Sequence, residues 1–99
     1  RGLGIHHRYE DEAAVLDAIG RAHQAYGARG TDSAMIVYRR ALQLRRVVGD
    51  RLGEANTLNN MGGIHAGYSR VDSALHYFRA VAALRRGLRD RAGEAVILN

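Results

Sequence analysis

Residues 32–59, DSAMIVYRRALQLRRVVGDRLGEANTLN, and residues 72–99, DSALHYFRAVAALRRGLRDRAGEAVILN, are two copies of one pattern. Asp32 aligns with Asp72 and Asn59 with Asn99, without a gap, and 14 of the 28 positions are identical. Self-similarity at a period of about 20–50 residues is typical of stacked repeat proteins, in which each unit contacts only its neighbours. The sequence therefore predicts a repeat protein, in which the length of the chain reflects the number of repeat units and not the number of domains.

The composition favours helices. The chain has no Pro, and Ala, Leu and Arg are frequent, which are strong helix formers. The absence of Cys excludes a disulfide framework and a thiolate metal site, and it is typical of a reducing compartment. The longest apolar runs, at residues 34–38 and 81–84, are much shorter than the roughly 18 residues of a membrane span. We therefore expect a soluble, cytoplasmic protein.

The charge allows two interpretations. Fifteen basic residues, all of them Arg, stand against 10 acidic ones, which gives a net charge of +5. Such a balance can indicate a nucleic-acid or acidic partner, but Arg and Ala enrichment also follows from a GC-rich genome, and we favour that reading. The Arg pairs at 39–40, 45–46 and 85–86 lie largely off the apolar stripe. We therefore expect them on a solvated face and not on a phosphate-binding ridge.

Apolar spacings of three and four predict α-helices that glycine-containing breaks separate. Asp32 or Thr31 is predicted to cap the second of these helices through a side-chain oxygen. The predicted helices cover residues 10–26, 32–48, 52–66 and 72–88. The predicted breaks are residues 27–31, 49–51, 67–70 and 89–91. Residues 1–8 are predicted as the end of a preceding helix and residues 91–99 as the start of a following one, so we expect the chain to begin and end inside a repeat.

The two copies share one apolar stripe. Its members follow the leading Ala at +3, +4, +7, +10 and +14, which places them on one side of a helix. They are Ala34, Val37, Tyr38, Ala41, Leu44 and Val48 in the first copy, and Ala74, Tyr77, Phe78, Val81, Leu84 and Leu88 in the second. We expect this side to be buried, so that truncating Phe78 to Ala would cost about 3–5 kcal/mol.

The resulting pattern of paired helices resembles the tetratricopeptide repeat (TPR) family in its 40-residue variety. The resemblance is carried by Leu58, Met61, Gly62 and His65, followed by Ala74, Phe78 and Val81. An earlier copy is carried by Leu16, Ile19, Gly20 and His23, followed by Ala34, Tyr38 and Ala41, and its turn is longer by two positions. The turn before the last copy has Ser69 where the family commonly has Gly, and the family's usual Pro after the second helix is absent.

The TPR resemblance implies an all-α fold, an α-solenoid of antiparallel helix hairpins. It would contain two full repeats, residues 11–48 and 51–88, with partial repeats at both ends. The phrases HHRYEDEAAVLDAIGRAH and GDRLGEANTLNNMG also resemble the TPR arms of actinobacterial AfsR/SARP-type regulators and related signal-transduction ATPases. That resemblance implies a larger bacterial regulatory or signalling protein as the parent.

In TPR proteins the first helix of each pair lines a concave groove that takes a protein or peptide. The resemblance transfers the groove positions to Asn56, Asn59, Asn60 and Gly63, and to Ala14, Asp17, Ala18, Arg21 and Gln24. The three Asn residues stand at i, i+3 and i+4 and therefore project from one face of a helix. Carboxamides donate and accept hydrogen bonds, which suits them to the backbone of an extended peptide.

The sequence contains no pattern that indicates catalysis, a metal or a cofactor. The adjacent His6 and His7 would diverge on a helix, whereas His23 and His65 occupy the same repeat position, which indicates packing. Asp17 and His23 fall on different faces of the predicted helix, and no nucleophile accompanies them. We therefore expect a non-catalytic TPR scaffold that binds a protein or peptide. The alternatives are self-association through exposed end helices and, less favoured, an Arg-rich surface for nucleic acid.

Overall fold

The computed structural model describes the backbone of residues 2–98 and the side chains of residues 4, 5 and 7–91. Over this range the chain is helical, and no strand occurs in it. The elements, in chain order, are α1 (Gly2–Gln24), a 3₁₀ turn (Gly27–Gly30), α2 (Thr31–Val48), α3 (Arg51–Gly67) and α4 (Val71–Leu98). The prediction of an all-α protein is confirmed.

The helices form two antiparallel hairpins. Helix α1 packs mainly against α2, and α3 mainly against α4. The second hairpin contacts the first through α2 and α3, and through a smaller contact between α1 and α3. The molecule is flat, with Cα extents of 50 × 34 × 16 Å. Its radius of gyration of 15.0 Å exceeds the roughly 13 Å of a compact domain of this length.

The break between α2 and α3 follows from three consecutive residues. Gly49 ends α2 in the left-handed conformation, with a φ of 73°, and its N–H donates to carbonyl oxygens of the last turn. Asp50 then begins α3 as its N-cap residue, because its carboxylate accepts from the backbone N–H of Gly53 at 2.9 Å. Glycine adopts this conformation without steric cost, and Asp is among the best N-cap residues. The predicted break at residues 49–51 is confirmed.

The predicted break at residues 89–91 is wrong. Helix α4 runs without interruption from Val71 to Leu98, although Asp90 and Arg91 repeat the residues that begin α3. Among the differences between the copies here, Arg89 stands where the first copy has Gly49. A left-handed residue other than Gly costs about 1–2 kcal/mol, which favours a continuous helix at Arg89.

The predicted boundary between residues 1–8 and a helix starting at Glu10 is also wrong. Helix α1 is continuous from Gly2 to Gln24. Two residues of the earlier copy can correspond to Gly49, because its turn is longer by two positions. Extending the alignment of the first helices gives His7, and extending the alignment of the second helices gives Tyr9. Neither residue favours the left-handed conformation that ends a helix.

The turn at residues 27–31 is confirmed, but the predicted cap of α2 is wrong. The N-cap residue is Gly30, which has no side chain to offer. The Thr31 hydroxyl instead donates to the carbonyl oxygen of Gly27 at 3.4 Å and lies 2.8 Å from the hydroxyl of Tyr68. Thr31 therefore ties this turn to the turn that joins α3 to α4.

The buried apolar residues form two clusters. The larger one combines residues of α2, α3 and α4, and the smaller one joins α1 to α2. The larger cluster contains Ala34, Met35, Tyr38, Leu42, Ala55, Leu58, Met61, Ile64 and Val81. The smaller cluster contains Ala13, Ala41 and Leu44. The stripe predicted for the first copy supplies members of both clusters, so α2 packs against α1 through the smaller cluster and against α3 and α4 through the larger one.

A small residue faces an aromatic ring in both hairpins. A Cβ added to Gly20 would overlap the ring of Tyr38, and one added to Gly62 would overlap the ring of Phe78. The two rings differ in burial, since Tyr38 is fully buried whereas Phe78 is 36% exposed. The prediction that Phe78 is buried is therefore wrong. Helix α3 packs over α2 beside Tyr38, and no described element packs over α4 in the same way.

The left-handed residues give a first prediction. Gly49→Ala should lower the free energy of unfolding by about 1–2 kcal/mol, because a Cβ is strained at a φ of 73°. Ser69 has a φ of 57°, so Ser69→Gly should relieve similar strain and raise stability by about 0.5–1 kcal/mol, part of the gain being offset by unfolded-state entropy. Urea unfolding followed by circular dichroism measures both changes, and shifts of the same sign would contradict the backbone assignment.

The two aromatic residues give a second prediction. Tyr38→Ala should cost about 3–5 kcal/mol, because it removes a fully buried ring from the larger cluster. Phe78→Ala, its repeat counterpart, should cost only about 1–2 kcal/mol, because much of that ring already meets solvent. Equal costs in thermal or urea unfolding would show that the two positions are buried alike.

Candidate functional site

A concave depression of about 300 Å³ lies where α1 and α3 approach each other. Its wall combines residues of α1 and α3 with one residue of α2. They are Ala14, Asp17, Arg21, Arg45, Asn56, Asn59 and Asn60. Six of these seven were predicted as groove residues from the sequence, and Arg45 was not. The depression is called the α1–α3 groove below.

The three carboxamides of the groove come from neighbouring turns of α3. Asn56 and Asn59 are exposed and Asn60 is half-buried. Their spacing of i, i+3 and i+4 places them on one side of the helix, while Ala55 and Leu58 on the other side are buried in the larger cluster. The burial of one face of α3 thus fixes the direction of the opposite, polar face.

Gln24 and Gly63 lie further along the same two helices. They line a second depression, of about 370 Å³, together with Thr31 and Tyr68. Each lies three residues beyond the nearest member of the α1–α3 groove, Arg21 and Asn60, which is about 4.5 Å along a helix. The structure therefore distributes the predicted site over two depressions. Ala18, also predicted, is exposed on α1.

Asp17 lies at the floor of the groove with its carboxylate already engaged. The residue is 4% exposed. One oxygen accepts from Arg45 at 2.7 and 3.2 Å, and both oxygens lie within 3.1 Å of the Thr57 hydroxyl, which donates to them. Asp17 therefore joins α1 to α2 and α3, and its charge is not offered to a ligand.

Arg45 continues this network to the start of α3. Its Nη1 donates to Asp50 at 2.7 Å, and the other oxygen of Asp50 caps α3 by accepting from Gly53 N–H. The Arg45 side chain is only 11% exposed. The prediction that this Arg lies on a solvated face is wrong, because its guanidinium turns inward between two carboxylates. We call the chain of contacts from Thr57 through Asp17 and Arg45 to Asp50 the inter-hairpin network.

A second ion-pair cluster surrounds Glu54, whose side chain is 8% exposed. Arg46 donates from Nε to one oxygen at 3.0 Å, and Arg51 donates from Nη1 to the other at 2.9 Å. Arg46 belongs to α2, whereas Glu54 and Arg51 belong to the first turn of α3. Both members of the pair Arg45–Arg46 thus bind carboxylates at the α2–α3 contact, which removes them from any phosphate-binding ridge.

The charge that the groove presents comes from Arg21. Asp17 and Arg45 neutralise each other at the floor, and the three Asn side chains are uncharged. Arg21 is exposed and lines the same depression. The groove therefore offers several hydrogen-bond donors and acceptors, with one guanidinium at its edge.

Tyr38 lies beneath this region, where its hydroxyl donates to the side-chain oxygen of Gln24. Burial raises the pKa of the Tyr38 hydroxyl above its ordinary value, the positive charge of Arg21 opposes this shift, and the negative charge of Asp17 adds to it. The hydroxyl is thus neutral at pH 7 and serves as a hydrogen-bond donor between α2 and α1.

His65 packs against an aromatic ring, and the described residues form no metal centre. His65 stacks on Tyr77 with ring centroids 5.3 Å apart, as its repeat position predicted. Among the described side chains, no group of three His, Asp or Glu residues could hold a metal ion. Of the helices within residues 2–98, none combines the length and the apolar character that crossing a membrane requires.

Sequence reasoning missed Arg45 and Thr57. Their partner Asp17 is 28 residues from Arg45 and 40 from Thr57, so no local spacing indicates these contacts. The available signal was the Thr itself, which stands on the apolar side of α3 between Ala55 and Leu58. A hydroxyl on a buried face requires a hydrogen-bond partner.

The inter-hairpin network gives a third prediction. Asp17→Ala should lower the free energy of unfolding by about 3 kcal/mol, the lower end of the range for breaking a buried pair, because Arg45 keeps Asp50. Thr57→Val, which removes the hydroxyl and leaves the ion pair intact, should cost about 1 kcal/mol. Urea unfolding measures both, and an Asp17→Ala variant as stable as the wild type would contradict a structural role for the pair.

Comparison of the chain with protein-family models, with curated proteins and with solved structures found no match in any of the three.

Proposed function

We propose that this chain is a non-catalytic binding module of TPR type, and that its α1–α3 groove takes an extended peptide segment of a partner protein. The observation that supports this most is the convergence of Asn56, Asn59, Asn60 and Arg21 on one concave depression of about 300 Å³. Concave sites with a few convergent polar groups are typical ligand sites.

The proposed architecture is an α-solenoid of antiparallel hairpins. Two features of the described residues support it. The buried residues form two clusters instead of one common core, and the shortest Cα dimension of 16 Å is about that of two packed helix layers, given Cα cylinders about 5 Å wide whose axes lie about 8–10 Å apart. Both features are typical of arrays in which each unit contacts only its neighbours.

Binding would use the hydrogen-bonding capacity of the carboxamides. Each Asn offers two donors and an acceptor, which match the C=O and N–H groups of an extended backbone. Because α3 is fixed to α1 and α2 by the inter-hairpin network, these side chains start from a rigid helix. A rigid site loses less conformational entropy when a peptide binds.

The parent protein is proposed to be a larger bacterial regulatory or signalling protein in the cytoplasm. This step is supported by the resemblance of two sequence phrases to TPR arms of such regulators. In that setting the module would bind a partner and transmit its presence to a neighbouring domain. Direct binding of nucleic acid is less favoured, because Arg45 and Arg46 already bind carboxylates.

A fourth prediction tests the groove. Random peptides of about 12 residues, displayed on phage and selected against the immobilised chain, should yield sequences whose synthetic versions bind with micromolar affinity. Asn60→Ala should weaken that binding about fivefold to tenfold, because one lost hydrogen bond in a binding site is worth about 1 kcal/mol or more. Fluorescence anisotropy measures the affinity, and circular dichroism verifies that helicity is unchanged.

The matched control is Gln43→Ala. Gln43 is an exposed carboxamide on α2, outside the residues that line the groove, so this variant should bind the selected peptides as the wild type does. If Asn60→Ala and Gln43→Ala behave alike, or if the selection yields no peptide that binds, the α1–α3 groove is not the peptide site.

A further inference from the structure

The outward side of α4 exposes apolar and basic residues together. Leu75 is 41% exposed and Phe78 is 36% exposed, and Arg85 and Arg86 are exposed beside them. A depression of about 360 Å³ runs along this side, between the Arg residues and Asn59 of α3. We call Leu75, Phe78, Arg85 and Arg86 the α4 surface. An apolar area with a basic border is complementary to a surface that is apolar and acidic.

The same chain shows how the equivalent surface of α2 is covered. Met35 and Tyr38, the counterparts of Leu75 and Phe78, are 8% and 0% exposed, because α3 packs over them. Arg46, the counterpart of Arg86, donates to Glu54 in the first turn of α3. A helix with a carboxylate near one end and apolar residues along the same face therefore fits this kind of surface.

Helix α1 carries such a face. The alignment of Leu16 with Leu58 relates α1 to α3, and it places Glu12, Val15 and Ile19 at the positions of Glu54, Thr57 and Met61. Glu12, Val15 and Ile19 stand at i, i+3 and i+7, so they share one side of α1. Val15 is 57% and Ile19 40% exposed, while the Glu12 side chain is 48% exposed and reaches Arg40 only at 3.9 Å. We call Glu12, Val15 and Ile19 the α1 surface.

We propose that the α4 surface of one chain binds the α1 surface of a second copy, head to tail. The acidic end of the α1 surface complements the basic end of the α4 surface, so Glu12 of one copy pairs with Arg86 of the other, as Glu54 pairs with Arg46 inside the chain. Phe78 and Leu75 then pack against Val15 and Ile19. This association is separate from peptide binding, since it uses the two outer helix faces and not the α1–α3 groove.

The contact joins two different surfaces, so a pair of bound copies leaves one α1 surface and one α4 surface free. Such heterologous contacts generate open chains unless the rotation between copies closes a ring. Arg8 stands at the position of Asp50 on the α1 side, so the contact places an Arg opposite Arg85, where a carboxylate binds Arg45 inside the chain, and these like charges oppose the association. The association is therefore weaker than the internal α2–α3 contact and depends on concentration.

A fifth prediction tests this association by sedimentation of the 99-residue chain between about 1 μM and about 1 mM, the range in which weak contacts form. The average mass should rise continuously with concentration. Glu12→Arg and Arg86→Glu should each reduce the association constant about tenfold or more, because each places like charges opposite each other. The double variant E12R/R86E should restore most of the association, because it exchanges the two charges across the contact.

Matched controls separate this contact from a general effect of charge. Glu10→Arg makes the same change about 200° away around α1, and Arg29→Glu does so in the 3₁₀ turn, so both should associate like the wild type. A chain that stays monomeric at every concentration overturns the proposal, including one that binds a labelled single-stranded oligonucleotide instead. Weakening by Arg86→Glu without weakening by Glu12→Arg also overturns it, because it indicates a symmetric contact between two α4 surfaces.

Discussion

The buried ion pair between Asp17 and Arg45 is the contact on which the arrangement of the two hairpins depends. Apolar packing also crosses between the hairpins, because the larger cluster joins α2 to α3 and α4, but apolar contacts are not directional. The carboxylate of Asp17, 2.7 Å from Arg45 and 3.0 Å from the Thr57 hydroxyl, joins three helices at one point. Because a buried charge without its partner is costly, arrangements that separate Asp17 from Arg45 are disfavoured by about 3–5 kcal/mol. The network thus selects one register, at the floor of the groove where a ligand would bind.

The comparison of α2 with α4 shows how two copies of one pattern, identical at 14 of 28 positions, take different structures. Both copies contain Arg-Arg and, further on, Asp-Arg-x-Gly-Glu-Ala. In the first copy the chain breaks at Gly49 and turns back, and the Arg pair binds the carboxylates of the next helix. In the second copy Arg89 replaces the glycine and the helix continues. The same Arg pair then stands on an exposed face, which is why we regard this face as a docking surface.

Several features could be predicted from the sequence because they are local. The helices, the break at Gly49 and the polar face with Asn56, Asn59 and Asn60 follow from periodicity and turn chemistry. The burial of Phe78 was predicted wrongly, because the exposure of its ring depends on whether another helix lies over it. The role of Arg45 was missed because a long side chain can turn its charge toward solvent or toward a distant carboxylate, and its position on the helix does not distinguish these. Asp17, predicted as a groove residue, lines the depression between α1 and α3, but its carboxylate is used by the protein itself.

The sequence by itself determined that the chain is helical, that its units repeat and that three carboxamides share one face of a helix, since these properties depend on interactions between near neighbours and on a visible period. Only the tertiary structure decided which charged groups are buried and which predicted groove residues share a depression, since both depend on contacts between residues 28 or 40 positions apart. The continuity of α4 belongs between the two. Arg89 in place of a glycine is visible in the sequence. The residues on either side of it repeat those of the first copy, however, and they indicate a break.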